Sequence, residues 1–108
     1  MDNRRWKLEA IHLALTCLAI ALVWRDVALC TGLLATLTIA RFALRWDRLE
    51  ALVFGAGFVF ASLAEIVQVA CGLYTYAQAS PLVIPAYNFF LWGAVLCFAY
   101  RLMAAVEA

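Results

Sequence analysis

Long apolar runs broken by short charged ones set the pattern of this chain. Four runs, Leu8 to Trp24, Val27 to Leu44, Ala51 to Gly72 and Ile84 to Met103, carry little charge, and Lys, Arg, Asp and Glu gather between them. This pattern predicts four helices that cross a bilayer, whose hydrocarbon core takes about 20 residues of helix. The first two runs are short for that task. Snorkelling by Lys7 and Arg41, and the flanking tryptophans Trp6 and Trp24, can make up the length. Only Arg25 and Asp26 part these two runs, which predicts a tight hairpin with Asp26 as N-cap of the second helix. One long helix is the alternative, and it would place both charges mid-span at about 2.5–3.5 kcal/mol each. Arg41 to Glu50 reads as a charged connector, partly helical at the interface, with Trp46 among the headgroups. Residues 73–83 form a loop without charge. The expected fold class is all-α: a polytopic membrane protein in one domain, residues 1–108, its four transmembrane helices arranged as two antiparallel hairpins.

Composition removes the soluble alternative. Of 108 residues 69% are hydrophobic, more than a soluble domain of this size could bury. The net charge of +1 gives no pull towards nucleic acid. Trp24-Arg25-Asp26 follows the first apolar run where a cleaved signal peptide would show small residues. Counting Lys and Arg on the two sides of the spans gives seven against one. Both termini are therefore expected on the cytoplasmic side of a bacterial inner membrane, and the tyrosine-bearing loop on the outer side. The four cysteines, Cys17, Cys30, Cys71 and Cys97, form no close pair, so they read as small buried apolar residues rather than a redox or zinc motif.

The odd residues fall between Ala64 and Gly93. Glu65 reads as the one carboxylate deep in a span, about 10 Å below its outer end at roughly 1.5 Å per residue. Intramembrane acids usually face the bundle interior and mark function. Gly55, Phe58, Ser62, Glu65, Val69 and Gly72 share one helical side, and Gln68 widens the polar patch. Asn88, early in the last span, lies at a similar depth, with Trp92 one turn on. Either set can be a binding or catalytic site, or interhelical glue such as a Glu65–Asn88 hydrogen bond. Tyr74, Tyr76 and Tyr87, near the outer boundary, are what an aromatic belt predicts. Pro81 and Pro85 fit a loop that returns to start the last span, Pro85 in its first turn. His12 reads as an interfacial histidine without a ligand. No metal-ligand cluster is seen, and no cofactor is expected.

The stretch AEIVQVACGLYTYAQASPLVIPAYNFFLWG resembles a pattern of small bacterial polytopic membrane proteins, and in part the carotenoid-biosynthesis membrane proteins that include carotenoid hydratases. The positions that carry the resemblance are Glu65, Gly72, Tyr74, Tyr76, Pro81, Pro85 and Trp92. They cover under a third of the chain, which is shorter than those enzymes and lacks their further helices. The resemblance implies an isoprenoid or carotenoid ligand.

Three functions follow from these readings. The leading one is a non-enzymatic subunit or assembly and binding protein, surrounded by membrane lipid, in a homo-oligomer or larger membrane complex. It would hold a lipid or isoprenoid near Glu65, with Gln68, Tyr74, Tyr76, Asn88 and Trp92 around it. The second is a cofactor-free enzyme in which Glu65, as general acid, protonates a polyene double bond, with aromatic ring faces steadying the cation. The third is a small proton-coupled exporter.

Overall fold

The computed structural model describes residues 5–76 and 84–107. Five α-helices make up four rods: α1 (Arg5–Val23), α2 (Val27–Leu44), α3 (Arg48–Ala56), α4 (Ser62–Ala70) and α5 (Tyr87–Glu107). A single π-helical turn, Gly57–Ala61, joins α3 to α4, so that Arg48–Ala70 is one continuous rod. All four rods are long and apolar enough to cross a membrane, and no strand occurs among the described residues.

Asp26 ends the possibility of one long helix through α1 and α2. Its side chain accepts from the Leu29 N–H at 3.1 Å, and its carbonyl accepts from the Cys30 N–H at 2.9 Å. The cap satisfies donors that a starting helix leaves free. The stretch Arg41 to Glu50, expected as a partly helical charged connector, is helical except at Arg45 to Asp47. Asp47 caps α3 by accepting from the Leu49 and Glu50 N–H groups at 2.9 and 3.1 Å, so the rod begins three residues before the expected Ala51. At the other end α5 starts at Tyr87, after Pro85, and runs past Met103 to Glu107.

The rods turn apolar side chains outwards and polar ones inwards. Phe60, Leu22, Ile39 and Val106 are among the large apolar residues exposed, whereas Glu9, His12, Thr16, Arg41, Glu50, Ser62, Glu65, Asn88 and Arg101 are buried. Helix α5 is the hub, touching each of the other helices and the π turn. Tyr87, expected at the boundary, is instead buried against Cys30 and Leu34. Cys30 and Cys97 are buried as expected, but Cys17 and Cys71 are exposed, since their positions on α1 and beyond α4 face away from the other rods.

The inward face of the third rod also differs from the expected one. Gly55 is exposed with open space around it, and Gly57 makes the close approach. A Cβ on Gly57 would lie 2.6 Å from the Trp92 carbonyl oxygen. The π turn then lengthens the step between inward residues, from Gly57 to Ser62, and Glu65 follows on the same side. Such single turns inside α-helices are frequent at functional sites. Gly57→Ala is expected to destabilise by about 1–3 kcal/mol through overpacking. Gly55→Ala should be neutral or stabilise by about 0.5–1 kcal/mol. Unfolding midpoints in one detergent check this, and equal midpoints for the two variants would contradict it.

Candidate functional site: a ligated carboxylate between two helices and a returning chain

The site is made by the way α4 ends. Gly72 takes φ +84°, a left-handed conformation that residues with a Cβ rarely adopt. Its N–H bonds the Val69 carbonyl at 2.9 Å, and the Leu73 N–H bonds the Gln68 carbonyl at 3.1 Å. This pair of bonds is a Schellman closure, which satisfies the last carbonyls and reverses the chain. Tyr74 and Tyr76 are thereby brought back beside α4.

Both oxygens of Glu65 then receive two donors. Tyr76 Oη donates to Oε2 at 2.5 Å and Tyr74 Oη to the same oxygen at 3.0 Å. Asn88 Nδ2 and Trp92 Nε1 each donate to Oε1 at 3.1 Å. Asn88 Nδ2 also donates to Tyr76 Oη at 2.9 Å, so that phenol accepts one bond and passes its own proton towards Glu65. Glu65 and Asn88 are buried. The four-residue spacing of Asn88 and Trp92 puts both N–H groups on the face of α5 that meets α4. Since an amide N–H and an indole N–H can only donate, the site supplies Oε1 with donors alone, the complement of a carboxylate.

The sequence-predicted residues thus separate into two groups. Glu65, Tyr74, Tyr76, Asn88 and Trp92 form one hydrogen-bonded unit. Gln68 stays exposed and meets it only through Tyr74 Oη at 3.5 Å, the outer limit of a hydrogen bond. Tyr74 and Tyr76, which also fit an aromatic belt, both contact Glu65. Loss of water around each ring, and then the Glu65 carboxylate beside it, hold both phenols above the usual tyrosine range, so they remain donors at neutral pH. Pro85 is buried before α5 and its carbonyl accepts from the Asn88 N–H at 3.0 Å; Pro81 lies outside the described residues.

A second buried cluster, at the opposite end of the rods, was not expected. The sequence pattern points to Arg41 as a snorkelling end residue, Glu50 as part of a connector, and Glu65 as the one deep acid. Arg41 is instead 2% exposed and bonds both Glu9 and Glu50, each fully buried. Its Nε donates to Glu9 Oε1 and its Nη2 to Glu50 Oε1, both at 2.5 Å. Arg101 Nε donates to Glu50 Oε2 at 2.6 Å, and Arg45 Nη2 to the same oxygen at 2.9 Å. Asp47 joins Arg5 to Arg101 at the rim. The Glu50 N–H that it caps, followed by the Arg5 guanidinium, holds its carboxyl below the usual range. His12, expected at the interface, is buried with its ring stacked on Phe54 at 6.3 Å, and neither ring nitrogen has a hydrogen-bond partner among the described residues. One signal was present in the sequence: Glu9, His12 and Thr16 recur at three and four residues, a polar stripe on one side of α1.

No group of three His, Cys, Asp or Glu that could hold a metal occurs among the described residues. Fold and site together define an all-α protein of four membrane-length rods, with polar groups gathered inside at both ends. No protein-family model matches the chain, and no curated protein or solved structure matches it either.

Proposed function

We propose that this chain is a small multi-pass protein of the bacterial inner membrane, inserted as two antiparallel hairpins with both termini cytoplasmic. In this reading it is a non-enzymatic binding or assembly subunit, in a homo-oligomer or a larger membrane complex. An isoprenoid or other lipid lies beside Glu65, against the ring of exposed Tyr74 and the half-buried Trp92. The observation that carries the reading is the state of the carboxylate. Four donors from the chain itself occupy its two oxygens. A general acid must reach the atom it protonates at about 2.6–3.2 Å. Glu65 instead ties the returning chain to α4 and α5, which shapes a surface without offering a proton.

The enzyme reading keeps one supporting observation. The 2.5 Å contact of Tyr76 with Glu65 sets a proton between two oxygens, from which the pair could act on a polyene as one unit. Purification separates the readings. The binding reading expects the protein to leave the membrane with an isoprenoid or a partner at fixed stoichiometry, and Glu65→Gln to retain it. A chain that purifies alone, as a monomer free of isoprenoid, contradicts it.

A further inference from the structure

A groove runs between α1 and α2 at the arginine-rich end of the rods, far from Glu65. Leu8, Ile11 and Leu15 form one wall and Leu37, Ala40 and Leu44 the other. His12 and Arg41 close the floor, and the surface is almost wholly carbon. From Leu8 to Leu15 it extends about 10 Å at the rise of an α-helix. Its mouth is basic. Lys7 lies one turn before Ile11 on the same side, is exposed, and belongs to no ion pair among the described residues. Arg45 follows Leu44 and is partly exposed.

The buried network behind the mouth does not cancel this charge. Its ion pairs join four arginines, Arg5, Arg41, Arg45 and Arg101, to three carboxylates, Glu9, Asp47 and Glu50, leaving one positive charge in excess. An apolar channel that opens on uncompensated positive charge fits a molecule with an apolar chain and an anionic head. Basic pockets between membrane helices bind acidic headgroups for this reason.

We propose that this groove holds an acyl chain of an anionic phospholipid, with the lipid phosphate against Lys7 and Arg45. The site rests on the membrane reading above but not on any role for Glu65. The test uses the full chain in detergent, exposed to equal amounts of phosphatidylglycerol and phosphatidylcholine with identical acyl chains, and native mass spectrometry to read the bound lipid. Phosphatidylglycerol should be retained over phosphatidylcholine by at least about fivefold, the effect of roughly one basic group at a membrane surface. Lys7→Gln should lower that preference by about fivefold. Ala40→Phe, at an exposed position outside the ion network, should fill the groove and remove bound phosphatidylglycerol while leaving the thermal unfolding of lipid-free protein unchanged. Equal retention of the two lipids overturns the proposal, as does phosphatidylglycerol binding that survives Ala40→Phe. Glycerol phosphate alone binding as well as the whole lipid would overturn the acyl-chain part. A chain that stays soluble without detergent would overturn the membrane reading itself.

Discussion

Arg41→Leu is expected to destabilise the protein by about 3–5 kcal/mol, the cost of leaving buried charges without their partner. Arg41 hydrogen-bonds Glu9 and Glu50, each at 2.5 Å, and also donates to the Arg45 carbonyl at 2.9 Å. Without it Glu9 keeps only the longer 3.6 Å contact with Arg45, while Glu50 keeps Arg45 and Arg101. Two carboxylates would then share a dry site with too few donors. Removing the charge from both sides should be milder. Arg41→Leu combined with Glu9→Leu deletes the stranded carboxylate as well, and apolar replacements of whole buried pairs are often tolerated. The double variant should therefore be more stable than the sum of the single changes implies. Unfolding of the four proteins in one detergent measures the coupling, and a loss under about 1 kcal/mol for Arg41→Leu would show that water reaches the cluster.

At the other end, Glu65→Leu should cost about 2–3 kcal/mol. Four hydrogen bonds end on this side chain, and such bonds between membrane helices average about 0.6 kcal/mol, with some near 1.7. Glu65→Gln should cost clearly less. Its oxygen can still accept from Asn88 and Trp92, and its amide can face the tyrosine hydroxyls, which are able to accept as well as donate. The damage should also be local. With leucine at 65, nothing holds Tyr74 and Tyr76 against α4, so amide exchange should quicken over residues 72–76 before it changes in α1 or α2. Uniform exchange across all the rods would contradict a local clasp, and equal costs for Leu and Gln would contradict the assigned donors.

The parts of this structure that the sequence reveals are those set by local rules. Asp26 stands where an apolar run restarts, and it caps α2 as a residue of its type does at such a place. Glu65, Asn88 and Trp92 are legible because a polar group inside an apolar run has few reasons to be there, and because helical spacing puts the last two on one side. The ionic cluster is different. Glu9, Arg41, Glu50 and Arg101 lie near the ends of apolar runs, where a charge is equally well explained by water. What settles their place is pairing across 32 residues for Glu9 with Arg41 and 51 for Glu50 with Arg101, which no local pattern encodes. The same holds for Gly57. Two glycines two residues apart look equivalent, and only the approach of α5 distinguishes them. Tyr74 and Tyr76 fit a boundary belt until the turn at Gly72 carries them back to Glu65.

Charge is therefore concentrated at both ends of a helical bundle, but in different chemical forms. One end is an arginine and carboxylate network that fixes how α1, α2, α3 and α5 meet. The other is a single acid surrounded by neutral donors, next to a chain reversal and aromatic rings. That difference is the ground for proposing ligand binding beside Glu65 and anionic-lipid binding at the arginine end.

The proposed function turns on whether Glu65 delivers a proton. The direct measurement is incubation of the purified protein with a linear polyene in heavy water, followed by mass analysis of the recovered polyene, for the wild type and for Glu65→Gln. A binding protein returns the polyene unlabelled and without added water in both cases. Deuterium or a hydrated product formed by the wild type and absent with Glu65→Gln would contradict the account and make Glu65 a general acid.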